Sequence, residues 1–96
     1  MLRIVASSAD KTLPASLLAS FKGIITQLIK NEKYELELLG PTNAPLEKLK
    51  THWRWHLIIK GQRSSELNHV MGALKSVKLP SRKLRVTFDL DPQDML

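Results

Sequence analysis

The chain has no cysteine among its 96 residues. That removes disulfides, thiolate-bound zinc, iron–sulfur clusters and a cysteine nucleophile, and it fits a reducing compartment. Long apolar runs are missing too. The longest are of the order of Leu57-Ile58-Ile59, whereas a membrane-crossing helix needs about 20 such residues. The start lacks the basic-then-apolar pattern of an export signal. The four glycines are scattered and build no phosphate-cradling G-x-x-x-x-G-K-[ST] loop. The length allows one domain with one sheet and one layer of helices, and excludes a Rossmann enzyme with a substrate domain, a kinase or a TIM barrel.

Positive charge is plentiful and unevenly placed. The formal net charge is +6. Gly40 to Arg85 holds ten Lys/Arg against Glu47 and Glu66, a balance of +8, whereas the rest of the chain sums to −2. An asymmetric basic surface is the electrostatic footprint of a phosphate-backbone binder, although mild basicity also serves solubility alone.

The hydrophobic pattern predicts six elements. Leu2 to Ala6 reads as a strand. After a polar connection, Pro14 suits a first helical turn. Leu17, Leu18, Phe21, Ile24, Ile25, Leu28 and Ile29 then recur at helical steps. Gly23 inside this helix is expected to allow close approach to the sheet. Tyr34 to Leu39 alternates as a strand that Gly40-Pro41 ends sharply. The next 12 or so residues exceed an ordinary hairpin loop of about 2–5, so Gly40 to Thr51 is a candidate working element. Trp53 to Lys60 is a third strand. Ser64 or Ser65 is expected to cap a second helix that carries Leu67, Val70, Met71 and Leu74 and ends near Lys78. Leu84 to Leu90 is the last strand. The order β-α-β-β-α-β predicts an α+β, ferredoxin-like fold: a four-stranded antiparallel sheet, first and third strands central, both helices on one face. The bare face then presents Arg3, Glu35, Glu37, Arg54, His56, Arg85 and Thr87. Nucleic-acid binders of this architecture use such a face, and it is equally an ordinary solvated face.

Catalytic and metal chemistry find little support. His52 and His56 have the i, i+4 spacing of helical zinc ligands but lie in or beside a predicted strand, where the two are too far apart for one ion. Ser64-Ser65 and His69 lack an acidic orienter. Asp89, Asp91 and Asp94 suggest a divalent-ion site, but Asp-x-Asp at the end of a strand more often caps a turn, and the structural role is favoured. Trp53 and Trp55 share a face with Leu57 and Ile59, which places Trp55 in the core. For Trp53, at the strand entrance, packing and base stacking stay open alternatives.

Taken in order, Leu39-Gly40-Pro41, Ala44-Pro45, a basic loop, Trp53-Arg54-Trp55, Arg63-Ser64, Ser81-Arg82-Lys83 and Asp89-Leu90-Asp91-Pro92 resemble the C-terminal domain of the bacterial replication restart helicase family PriA, primosomal protein N′. The resemblance spans essentially the whole chain and is strongest from Leu38 to Pro92. It implies a fold similar to ribosomal protein S-ten. It also implies a parent that is an ATP-dependent DNA helicase of the bacterial cytoplasm, with ATP and zinc sites in other domains and no cofactor in this chain. The chain is then an excised domain or a stand-alone homologue, and non-catalytic by itself. The implied partners are single-stranded or forked DNA, the acidic tail of single-stranded-DNA-binding protein and the remaining helicase domains, with no membrane. Phosphate contacts are expected from Lys48, Lys50, Arg54, Arg82 and Lys83. The tail site of the family matches Arg63, or Ser64 if the loop shifts by one, together with Asn68. A stand-alone ribosome- or RNA-associated ferredoxin-like protein is the alternative, and a small enzyme or small-molecule sensor on the same fold is disfavoured because no titratable cluster converges.

Overall fold

The computed structural model describes residues 1–43 and 52–90. Alternation builds its centre. In β1 (Leu2–Ser8), Leu2, Ile4 and Ala6 point to one side and are fully buried, and in β3 (Trp53–Gly61) Leu57 and Ile59 do the same. The two strands pair antiparallel, with Leu2 opposite Ile59 and Ser8 opposite Trp53. β2 (Leu36–Asn43) joins the far side of β3, and β4 (Arg85–Leu90) joins β1, giving the order β2-β3-β1-β4. The β-α-β-β-α-β order, the antiparallel sheet and the central placing of the first and third strands agree with the sequence reading.

Both helices pack on the aliphatic face. α1 (Leu13–Glu32) buries Leu17, Leu18, Phe21 and Ile25, and α2 (Ser64–Lys75) buries Leu67, Val70 and Leu74, all in one cluster with the inward residues of β1 and β3. Phe21 is fully buried and stacks on Phe88 of β4 with ring centroids 6.2 Å apart. Truncating such a ring to Ala costs about 3–5 kcal/mol. Pro14 sits in the first turn of α1 as expected.

Four local expectations are corrected. β2 does not stop at Gly40-Pro41. It passes through a cis peptide bond there and continues to Asn43, with a register irregularity between Leu39 and Thr42. Gly40 has φ +96°, and a Cβ there would lie 2.9 Å from the His56 carbonyl oxygen, so glycine carries the strand past the irregularity instead of ending it. Gly23 is exposed, and a Cβ built on it meets nothing within 4 Å, so it does not mediate helix–sheet contact. Arg63 takes the N-cap position of α2 in extended conformation with no side-chain cap bond, which leaves Ser64 as the first helical residue. The same helix ends at Lys75, three residues earlier than its apolar spacing suggests.

Candidate nucleic-acid and partner interface

Antiparallel pairing sorts the charged residues to the two ends of the sheet. β1 ends, β3 begins, β4 begins and β2 ends at one edge, because Ser8 pairs with Trp53, Ser7 with both Arg54 and Arg85, and Asn43 with Trp55. The opposite edge gathers the start of β1, the ends of β3 and β4, the start of β2 and the N-terminus of α2. Six residue steps along β1 separate the two, about 20 Å at strand rise.

The first end is basic. In residues 8–12, 42–43, 52–55 and 76–86 the cations are Lys11, Arg54, Lys78, Arg82, Lys83 and Arg85, and Asp10 is the one acid among the described residues. Arg82 and Lys83 are exposed on a turn closed by the Leu84 N–H donating to the Ser81 carbonyl and the Lys83 N–H donating to Ser81 Oγ. Asp10 closes a second turn. Its Oδ1 accepts from the Thr12 N–H at 2.9 Å and from the Thr12 hydroxyl at 2.8 Å, and its own N–H donates to Ser8 Oγ. The Thr12 backbone N–H, then the Thr12 hydroxyl, hold the Asp10 carboxyl below its ordinary range, and the N–H of Leu13 and the charge of Lys83 act in the same direction. This turn carries Lys11, whose ammonium stands 5.4 Å from the centroid of the Trp53 ring. Trp53 is 40% exposed, whereas Trp55 packs half-buried against the core.

Three of the five residues expected to touch phosphate, Arg54, Arg82 and Lys83, therefore share one end of the domain. Lys48 and Lys50 lie outside the described residues, as do Ala44-Pro45, Asp91 and Asp94. Lys11 was missed by the charge count because it falls outside the basic half of the sequence. The signal that finds it is topological, since the loop leaving β1 must meet the start of its antiparallel neighbour. The helix-free face is less open than the alternation suggests. Val5 on that face is only 8% exposed, Ile58 is half-buried, and His56 Nδ1 is buried with no hydrogen-bond partner.

The second end carries a recess of about 630 Å³ between the α1–β2 connection and the entrance of α2. Its charged lining is mixed in sign, with Lys33, Lys60 and Arg63 beside Glu35, Glu37 and Glu66. The Arg63 side chain is 80% exposed and its guanidinium lies 4.0 Å from the Glu66 carboxylate. Ser64 and Asn68 are one helical turn apart, so both belong to the same stripe of α2. On the adjoining stripe, His69 Nδ1 and the Tyr34 hydroxyl are 2.6 Å apart, with the two rings edge to face. Partial desolvation, with Glu32 and Glu66 adding to it, raises the Tyr34 phenol above its ordinary range. No group of three or more His, Asp or Glu that could hold a metal ion occurs among the described residues, and no helix among them is long and apolar enough to cross a membrane.

No curated protein matches the chain at a significant level. The family model described as the primosomal protein N C-terminal domain matches residues 1–93, nearly the whole length, and covers both ends of the sheet. By that match the chain belongs to the family of primosomal protein N C-terminal domains, the C-terminal domain of a replication restart helicase.

Proposed function

We propose that this domain performs no catalysis itself and serves the helicase as a two-ended adaptor. The basic end of the sheet binds DNA, and the recess at the α2 entrance receives the acidic tail of single-stranded-DNA-binding protein. The observation that supports this reading is the segregation of charge: six cations and one acid at one end, and a mixed recess with an exposed arginine at the other. Such a division suits a phosphate backbone on one side and a peptide carboxylate on the other. This function belongs in the bacterial cytoplasm, beside the chromosome and the remaining helicase domains.

Arg63 suits a terminal carboxylate because guanidinium offers two parallel N–H donors, and the neighbouring N–H groups of α2 favour negative charge. Glu66 competes for the same guanidinium; its side chain is only 12% exposed, but the Arg63 side chain is 80% exposed and the contact is long at 4.0 Å, so solvent and a ligand carboxylate can both reach the guanidinium. The deciding experiment is an NMR titration with a peptide of the tail. Shifts centred on Arg63, Ser64 and Asn68 that vanish in Arg63→Ala support the assignment, whereas shifts confined to Arg54, Arg82 and Lys83 move the partner to the basic end. For DNA, log affinity for a single strand should fall with log salt by about 0.7 per phosphate neutralised. Arg54→Ala, Arg82→Ala and Lys83→Ala should each reduce that slope, and a flat salt response of the native protein contradicts the electrostatic reading.

A further inference from the structure

The Trp53 indole at the basic end is 40% exposed and stands outside the core cluster of the described residues. Along β3 the inward-facing residues run Trp53, Trp55, Leu57 and Ile59. Exposure falls from 40% at Trp53, through a half-buried Trp55, to zero at Leu57 and Ile59. The helix layer covers the last three, and Trp53 projects past it. Its strand partner is Ser8, a fully buried small residue whose Oγ accepts the Asp10 N–H. The turn beside the ring is thus built by hydrogen bonds among Ser8, Asp10 and Thr12, and that turn sets the Lys11 ammonium over the indole. A broad aromatic surface, a lysine on a flexible stem beside it, and further cations at Arg82 and Lys83 combine the two elements of single-strand recognition, a stacking platform and a phosphate contact.

We infer that Trp53 is a base-stacking residue, and that the basic end therefore takes an unpaired nucleotide segment in preference to a duplex. The inference rests on the DNA-binding reading above and adds to it the form of DNA. In a duplex the faces of the bases are covered by their neighbours, so an indole at the edge of a sheet has nothing to stack on. In a single strand each base has a face to offer. Lys11 stands over the ring. With a nucleotide bound, its long side chain turns from the ring to the phosphate of the stacked residue.

Stacking and phosphate pairing respond differently to salt, which separates them experimentally. The measurement is binding of a labelled oligothymidylate, and of a duplex of equal length, to the 96-residue protein across a salt series. Trp53→Ala should weaken single-strand binding about 5- to 100-fold at every salt concentration with an unchanged slope. Trp53→Phe should recover most of the loss. Lys11→Ala should instead lower the slope by about 0.7. Duplex binding should be weaker and indifferent to Trp53→Ala. Trp55→Phe leaves Trp53 as the single tryptophan, and its fluorescence should be quenched on saturation with the oligonucleotide, a readout that keeps the ring in place should Trp53→Ala fold poorly. Tight, salt-dependent binding that neither Trp53→Ala nor the fluorescence registers overturns the stacking role and leaves the DNA-binding reading standing. Absence of any binding by the native protein overturns both.

Discussion

Asp10 is an exposed carboxylate whose properties come almost entirely from its own turn. The Thr12 backbone N–H and hydroxyl donate to it, and both hold its pKa below the ordinary carboxylate range. A depressed pKa in the folded state means that Asp10 adds stability above its ordinary range, and that this contribution disappears as pH falls through the lowered value. An NMR pH titration should find the Asp10 midpoint below that of an unstructured aspartate. Thr12→Ala should raise it part of the way back, because the backbone N–H remains. The opposite end of the molecule has its own residue-level test. Glu66 stands 4.0 Å from the Arg63 guanidinium, so Glu66→Gln should release Arg63 and tighten binding of an acidic tail peptide, read by the same NMR titration. Single residues were the hardest part to foresee. Tyr34 and His69 are 35 positions apart, and no periodicity or spacing couples them. Their contact exists because the connection after α1 and the first turns of α2 reach the same end of the sheet.

The elements followed from local chemistry wherever one signal dominated. The seven-residue apolar stripe of α1 and the strict alternation of β4 left little competition, and both helices and all four strands were legible. Misreadings arose where two local signals opposed each other. Gly40-Pro41 carries a strong turn signal, but Thr42 and Asn43 still pair with His56 and Trp55. Pairing to a long central strand outweighed the turn preference, with glycine absorbing the irregularity at φ +96°. The two glycines consequently carry opposite expectations. Gly40→Ala brings a Cβ to 2.9 Å from the His56 carbonyl oxygen in a backbone region that alanine disfavours, and should destabilise by more than about 1 kcal/mol. Gly23→Ala, in an exposed helical position with open space around it, should stabilise by about 0.5–1 kcal/mol. Thermal unfolding of the two variants beside the native protein distinguishes them.

At the scale of the whole molecule, the ferredoxin-like topology turns a charge bias along the sequence into a division between two ends of one sheet. Half of that was legible. The basic half of the chain was evident, but Arg63 and Arg82 both lie within it and reach opposite ends, because an odd number of elements separates them. About 20 Å of sheet between the ends is more than two Debye lengths at physiological salt, about 8 Å each. The recess and the basic end share no lining residue, so energetic coupling should be small. Saturating oligonucleotide should leave the affinity of the tail peptide unchanged within about twofold, measured by calorimetry of the binary and ternary mixtures. The register also fixes how the domain answers to mechanical load. Leu2 and Leu90 are cross-strand partners, so a force applied to the two outer ends of the fold pulls β1 and β4 apart from one edge. The ladder bonds lie perpendicular to the strands and are then loaded one after another, like a zipper, rather than sheared together. Single-molecule stretching from positions 2 and 90 should therefore record a shallow, reversible transition in place of an abrupt rupture.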